Sequence, residues 1–243
     1  MRRVNRRSKV VAFSADASIR PFWHAVVIGY ANNVLMLSDR ITGRLQAVAK
    51  PGAIGMRVRK AGQSDVEAMA RVTVDTFLAA HRSQIPDEVW NSLRQNWTPE
   101  VSRRGWERTL RDITDGASPQ DCVYVAVSDA GAIVGVAMGA PADGDGAPTA
   151  GKVCVLYVHP DHQRQGAGHR LVEAVAAHLA QQGMTTLEIE VLKANAPARR
   201  FYEALGGRIV ADRHVEDACF RLPSVVYGWS DIRTVVADDG SEQ

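Results

Sequence analysis

Between an apolar run, Lys152 to Val158, and a stretch of helical periodicity lies His159-Pro160-Asp161-His162-Gln163-Arg164-Gln165-Gly166-Ala167-Gly168. A helix that begins here presents free N–H groups and the positive end of its dipole. Glycines at 166 and 168 let a ligand come against the backbone. That is the chemistry of an anion site, and of a diphosphate in particular, although two glycines before a helix serve close helix–strand packing as often. The rival is a dinucleotide fingerprint, because Glu188 and Glu190 follow about twenty residues on, where that fold keeps a ribose-binding acid. The rival fails: the third glycine of G-x-G-x-x-G is Leu171, and seven residues separate Val158 from Gly166.

Other residue types could move protons. His159, His162 and His169 are candidate bases, each equally explained as a solvated loop residue. Glu188 and Glu190 share one face of a strand, opposite Leu187, Ile189 and Val191. One of them could deprotonate a substrate through water, and a solvated sheet face is the simpler account. The cysteines Cys122, Cys154 and Cys219 lie far apart, with no metal-ligand spacing, so they read as reduced thiols within strands and no metal site is expected.

The elements that must position these residues form a mixed α/β order. Met56 to Lys60 alternates like a strand, and Ser64-Asp65-Val66-Glu67 predicts a capping box with Ser64 at the N-cap. The helix that follows buries Val66, Met69, Ala70, Val74, Phe77 and Leu78. Pro86-Asp87-Glu88 starts a second helix, and Trp90, Leu93, Trp97, Trp106 and Leu110 line its buried side or that of a third. Cys122 to Val127 and Ala132 to Ala140 form a hairpin across Ser128-Asp129-Ala130-Gly131. After the loop Pro141 to Gly151 comes the buried strand Lys152 to Val158. A helix runs from near Gly166 to Gly183, Thr185 to Leu192 is a strand, and Asn195 caps a helix through Leu205 that Gly206-Gly207 ends. Strands at roughly Arg208 to Asp212 and Cys219 to Gly228 close the chain. The strand–helix–strand unit at 152–192 predicts a parallel pair, and the hairpin before it an antiparallel one.

Composition agrees with a soluble globule: 243 residues, 46% hydrophobic, 23% charged, net charge +2. Collagen and low-complexity disorder are excluded. Charge is uneven, since the first fifty residues carry nine Lys/Arg against Asp16 and Asp39, leaving 20 basic and 25 acidic residues beyond them. The mildly acidic body argues against nucleic-acid binding by the fold itself. The cluster Arg2, Arg3, Arg6, Arg7 and Lys9 would suit a nucleic-acid arm, and equally a solvated tail. Val10-Val11-Ala12-Phe13 is too short for a signal-peptide core, and Phe22 to Leu37 is shorter than a ~20-residue span and holds His24, Asn32 and Asn33. A cytoplasmic protein is expected.

Val155 through Gly168 resembles motif A of the GNAT superfamily of acyl-CoA N-acyltransferases, a hydrophobic strand followed by Gln/Arg-x-x-Gly-x-Gly/Ala. Val191 through Gly206 resembles motif B, Asn-x-x-Ala-x-x-Phe-Tyr-x-x-x-Gly, met here as Asn195, Ala198, Phe201, Tyr202 and Gly206. The similarity spans about residues 56–230. It divides the chain into a basic extension (1–55), a GNAT-like domain (56–230) and a tail (231–243).

The resemblance implies an α/β (α+β) fold, a mixed and mostly antiparallel sheet with helices on both faces, and acetyl-CoA as acyl donor. It implies that the motif A strand splays from its neighbour, with main-chain groups at Leu156, Tyr157 and Val158 along the pantetheine arm. The N–H groups of Gln163, Arg164, Gln165, Gly166, Ala167, Gly168 and His169 would cradle the pyrophosphate. Asn195 would reach the pantetheine, although N-capping explains it too, and Tyr202 would reach the thioester sulfur. Aminolysis of a thioester needs an unprotonated amine and a proton for the departing thiolate. Tyr202 can supply that proton, and Glu190 is the candidate base. Transfer would be direct, in a ternary complex, and acylation of Cys154 would contradict it. The acceptor is a small-molecule or peptide amine, walled by residues 72–110, with Asp75, His81, Trp90 and Trp97 as candidates. The alternative is a non-catalytic acyl-CoA-binding regulatory module. Nothing in the sequence specifies an oligomeric state.

Overall fold

The computed structural model describes residues 56–142, 149–217 and 220–236. The basic extension with its arginine cluster, Cys219 and the last residues of the chain lie outside the described residues. The strands are β1 (Arg57–Lys60), β2 (Cys122–Val127), β3 (Ile133–Pro141), β4 (Ala150–Val158), β5 (Thr186–Leu192), β6 (Arg208–Asp217) and β7 (Phe220–Trp229). The helices are α1 (Val66–His81), α2 (Asp87–Asn96), α3 (Pro99–Thr114), α4 (Ala167–Gln181) and α5 (Ala196–Ala204). The segment after α1 therefore resolves into two helices, the second capped by Thr98, whose hydroxyl accepts from the Val101 N–H at 3.3 Å.

The strands form one seven-stranded sheet in the order β1-β2-β3-β4-β5-β7-β6. Only β4 and β5 run parallel; every other neighbour pair is antiparallel. This is the expected mixed, mostly antiparallel sheet with a core on each face. On one face, α4 buries Leu171, Val175 and Leu179. It can lie close because glycines face it: a β-carbon at Gly151 would stand 2.8 Å from Leu179 Cδ1. On the other face, Val66, Met69, Ala70, Val74 and Phe77 of α1 meet β2, β3 and β4, and Trp106 of α3 donates to Thr73 Oγ1 at 3.2 Å.

One local expectation is corrected. Ser64 is exposed and does not cap α1. The chain enters that helix through a 3-10 turn, Gln63–Asp65, in which Asp65 Oδ2 accepts from the Gly62 N–H at 2.8 Å. Asp65 is chosen because Arg59 on β1 grips both its oxygens, at 2.6 and 2.8 Å. Such a charge-assisted fork outweighs the neutral hydroxyl of Ser64. Glu67 pairs instead with Arg71 one turn on.

Two features of β4 shape its surroundings. Val153 pairs with Gly139 and Val155 with Met138, so Cys154 is the extra residue of a bulge. Cys154 and Val155 consequently both join the α1-side core. At its other edge, β4 pairs with β5 only from Ala150 to Lys152, opposite Thr186 to Glu188. β5 meanwhile continues along β7 as far as Leu192. The two parallel strands thus part after their first turn of contact.

Candidate active site

The parting leaves one edge of β4, from Val153 to Val158, without a neighbouring strand among the described residues. The ladder decides which main-chain groups face that edge. The His159 N–H donates to the Val134 carbonyl at 2.8 Å, so in this antiparallel pair the groups of Tyr157 also turn toward β3. Those of Leu156 and Val158 turn the other way, into the opening. Leu156 and Val158 thus present main-chain groups to the opening, whereas the main-chain groups of Tyr157 face β3 and its ring is buried in the α1-side core. The Val158 carbonyl is already used, accepting from Gln163 Nε2 at 2.9 Å.

That Gln163 bond fastens the loop to the strand it leaves. Pro160–His162 form a 3-10 turn, and the Gln163 N–H donates back to Pro160 at 3.2 Å, so it takes no further acceptor easily. Beyond it the backbone turns sharply: Arg164 has φ 61° and Gly166, the N-cap of α4, has φ 85°. Arg164 is the one non-glycine with positive φ among the described residues, a strained conformation of the kind that gathers successive N–H groups into an anion-binding concavity. The first helical bond runs from the Arg170 N–H to Gly166. The N–H groups of Arg164, Gln165, Gly166, Ala167, Gly168 and His169 have no acceptor among the described residues. Gly168 also serves packing, since a β-carbon there would meet Phe201 at 3.3 Å.

Asn195 caps α5, its Oδ1 accepting from the Ala198 N–H at 3.2 Å, as N-cap chemistry predicts. Tyr202, two turns along, has 0% exposure. Its ring lies among Phe201, Tyr227 and Trp229 at centroid distances of 5.2, 5.7 and 6.3 Å. Among the described residues its hydroxyl has no hydrogen-bond partner. Burial, with a further push from the Tyr157 phenol, holds the Tyr202 hydroxyl well above the ordinary tyrosine range, so it stays protonated. A buried, protonated, unpartnered hydroxyl is a donor in need of an acceptor.

Glu188 and Glu190 do share the sheet face opposite Leu187, Ile189 and Val191. They differ in surroundings. Glu188 is partly exposed and 3.9 Å from Arg213. Glu190 is only 9% exposed and accepts from the Ser224 hydroxyl at 2.6 Å. The histidines divide otherwise: His159 Nδ1 accepts from the Asp161 N–H at 3.4 Å and shapes the turn, while His169 is exposed.

The candidate acceptor wall is not assembled as expected. Asp75 is exposed, whereas His81, Trp90 and Trp97 are buried in the helical core. The Phe77 ring gathers them, at 4.8 Å from His81, 6.3 Å from Trp90 and 5.9 Å from Trp97. Their apolar bodies are spent on packing α1, α2 and α3. Among the described residues no group of three or more His, Cys, Asp or Glu could hold a metal ion, and no helix is long and apolar enough to cross a membrane. The Cys154 bulge and the Ser224–Glu190 contact escape a linear reading because each depends on strand register, and the Gln163 latch because it depends on the turn at Pro160–His162.

A sheet parted beside an N–H-rich loop defines a class, and comparison with known proteins agrees. Residues 86–207 match the acetyltransferase (GNAT) family. The uncharacterized N-acetyltransferase YuaI of Bacillus subtilis (strain 168) is 30% identical over 175 residues, covering 72% of this chain and 93% of its own. The chain belongs to the GNAT family, and its class of enzyme is acyltransferase. A shorter stretch, 51 residues at 47% identity, is shared with the [ribosomal protein bS18]-alanine N-acetyltransferase of Escherichia coli (strain K12), covering 21% of this chain and 34% of that one. Among solved structures, the PaiA N-acetyltransferase of Thermoplasma acidophilum in complex with coenzyme A has the same fold, with TM-score 0.55 at 14% identity over 72% of this chain and 99% of that chain.

Proposed function

We propose that this protein transfers the acetyl group of acetyl-CoA to a primary amine, directly, in a ternary complex. The observation that carries this reading is the opening between β4 and β5, bordered by β4 main-chain groups and ended by the unclaimed N–H groups of Arg164 to His169. An extended, hydrogen-bonding arm that ends in a diphosphate fits both parts. The N–H groups and the α4 dipole bind the diphosphate. The outward groups of Leu156 and the Val158 N–H bind the pantetheine as an added strand would. The unpartnered Tyr202 hydroxyl fits the sulfur of the thioester, and Asn195 serves the pantetheine while capping α5.

The chemistry then divides between two side chains. The amine nitrogen attacks the thioester carbonyl, the C–N bond forms and the C–S bond breaks. Glu190 takes the proton lost by nitrogen, directly or through a water, and Tyr202 gives its proton to the departing thiolate. Exchange with solvent restores both groups.

The acceptor is a small-molecule or peptide amine, a range consistent with a relative named for acetylating an alanine of a ribosomal protein. The reduced thiols Cys122 and Cys154, both buried, suit a cytoplasmic setting. The domain is assigned to residues 56–230, with the basic extension outside it. Release of free CoA from acetyl-CoA, followed with a thiol reagent across spermidine, an aminoglycoside, free amino acids and an alanine-terminated peptide, tests the reading. Amine-dependent release with a matching acetylated product supports it; acetyl-CoA binding without release from any of these amines points to a regulatory acyl-CoA-binding module.

A further inference from the structure

We propose that Ser224 is a positioning residue for the base: it holds one oxygen of Glu190 and leaves the other to receive the amine proton. The inference rests on Glu190 being that base. Ser224 is 0% exposed, and its hydroxyl donates to Glu190 Oε1 at 2.6 Å. That is a short hydrogen bond from a hydroxyl to a carboxylate oxygen. The contact is built into the ladder. Leu192 pairs with Ser224 and Glu190 with Val226, so the two side chains are diagonal neighbours on one face of β5 and β7. The Lys193 N–H, donating to the Pro223 carbonyl at 2.9 Å, fastens β7 beside Ser224.

A carboxylate has two oxygens, and they are treated differently here. With Oε1 taken, Oε2 has no hydrogen-bond partner among the described residues and is not sealed by them from solvent. Glu190 also lies past Lys152 and Glu188, the last pair shared by β4 and β5, so its side chain stands where β4 has already turned away. The other charged groups on this face gather around Glu188: Lys152 on β4 is its register partner, and Arg213 on β6 approaches it to 3.9 Å. Tyr157 of β4, buried in the core on this side of the sheet, is kept protonated by that burial. Glu190 is therefore left with a neutral donor in place of a salt bridge. A hydroxyl fixes the carboxylate through one oxygen, whereas an arginine fork would take both.

The test is a carbon-13 NMR titration of the Glu190 carboxylate in the full-length protein, its signal identified by loss in Glu190→Gln. In Ser224→Ala the titration midpoint should rise by about half a pH unit or more, and Ser224→Thr, which keeps the hydroxyl, should restore it. Ser224→Cys, a weaker donor of similar size, should fall between them and serves if the alanine variant folds poorly. An unmoved midpoint in both Ser224→Ala and Ser224→Cys overturns the proposal. Turnover with the fastest amine of the panel separates the underlying reading. If Glu190→Gln keeps the wild-type kcat, Glu190 is not the base and the positioning role falls with it. If Glu190→Gln loses about 10²-fold or more and the acid limb of kcat/KM moves up in Ser224→Ala, both stand.

Discussion

Lys152 and Glu188 are the last residues that β4 and β5 pair, and beyond them the two strands separate at the proposed donor site. Past this pair, Glu190 faces the open side of the sheet, and Tyr202 on α5 brings an unpartnered hydroxyl from the other core. The cost of leaving a strand edge unpaired makes sense where an extended ligand completes the sheet.

Tyr202→Phe removes a hydroxyl that has no hydrogen-bond partner among the described residues. Stability should stay the same or rise slightly, because no partner is orphaned. If Tyr202 protonates the thiolate, kcat falls about 10²–10⁴-fold while acetyl-CoA affinity changes little. Thermal unfolding beside steady-state kinetics checks both; an unchanged kcat removes Tyr202 from the chemistry.

Gln163→Leu cuts the latch between the loop and the end of β4. The Val158 carbonyl loses its donor and the Arg164–His169 turn loses its anchor, at about 1–3 kcal/mol. The KM for acetyl-CoA should rise more than kcat falls. A variant with wild-type KM would show that the loop holds its shape without the latch.

His81 makes stability depend on pH in a defined window. Burial, opposed by the Gln84 side chain at 3.2 Å, pushes its pKa down from 6.5 to about 4. The folded state therefore binds fewer protons than the unfolded chain between these values. The His81 contribution is complete above pH 6.5 and is lost as pH falls toward 4, on the order of 3 kcal/mol in all. His178, lowered by burial in the same direction, adds to the trend. Asp65, held low by Arg59, loses its contribution only at more acidic pH. Urea unfolding at pH 7.5, 6 and 5 should show this decline, and His81→Asn should flatten it; an equal slope in the variant would assign the effect elsewhere.

Asn195→Ala removes the cap of α5. About 1 kcal/mol of stability should go with it, seen as a lowered Tm. If Asn195 also reaches the pantetheine, acetyl-CoA affinity falls beyond what the variant with a serine cap, Asn195→Ser, loses. Equal affinities in the two variants would reduce Asn195 to a cap.

Most of the fold was legible because periodicity and punctuation agree along the chain. Leu171, Val175 and Leu179 mark α4, Gly183 and Gly206 adopt the left-handed conformations that end helices, and Asn195 caps where its residue type says. The turn into α4 was legible for the same reason, since glycine spacing at 166 and 168 is a local signal. Failures came where a partner from another element decides. Ser64 does not cap α1 because Arg59, arriving from β1, fixes Asp65 in the turn before the helix, where it accepts from the Gly62 N–H. The parity that faces Leu156 and Val158 toward the opening, and the register that sets Ser224 beside Glu190, exist only once strands pair.

Calorimetric titration of the full-length protein with acetyl-CoA, beside a Gly166→Glu variant, tests the central claim most directly. Gly166 has φ 85°, and no atom lies within 4 Å of a β-carbon placed there, so the glutamate has room but strains the turn and sets a negative charge at the diphosphate site. Saturable binding to the wild-type protein, weakened at least about tenfold in the variant, is the predicted result. No saturable binding to the wild-type protein, or equal binding to both, would contradict a donor site between β4, β5 and the start of α4.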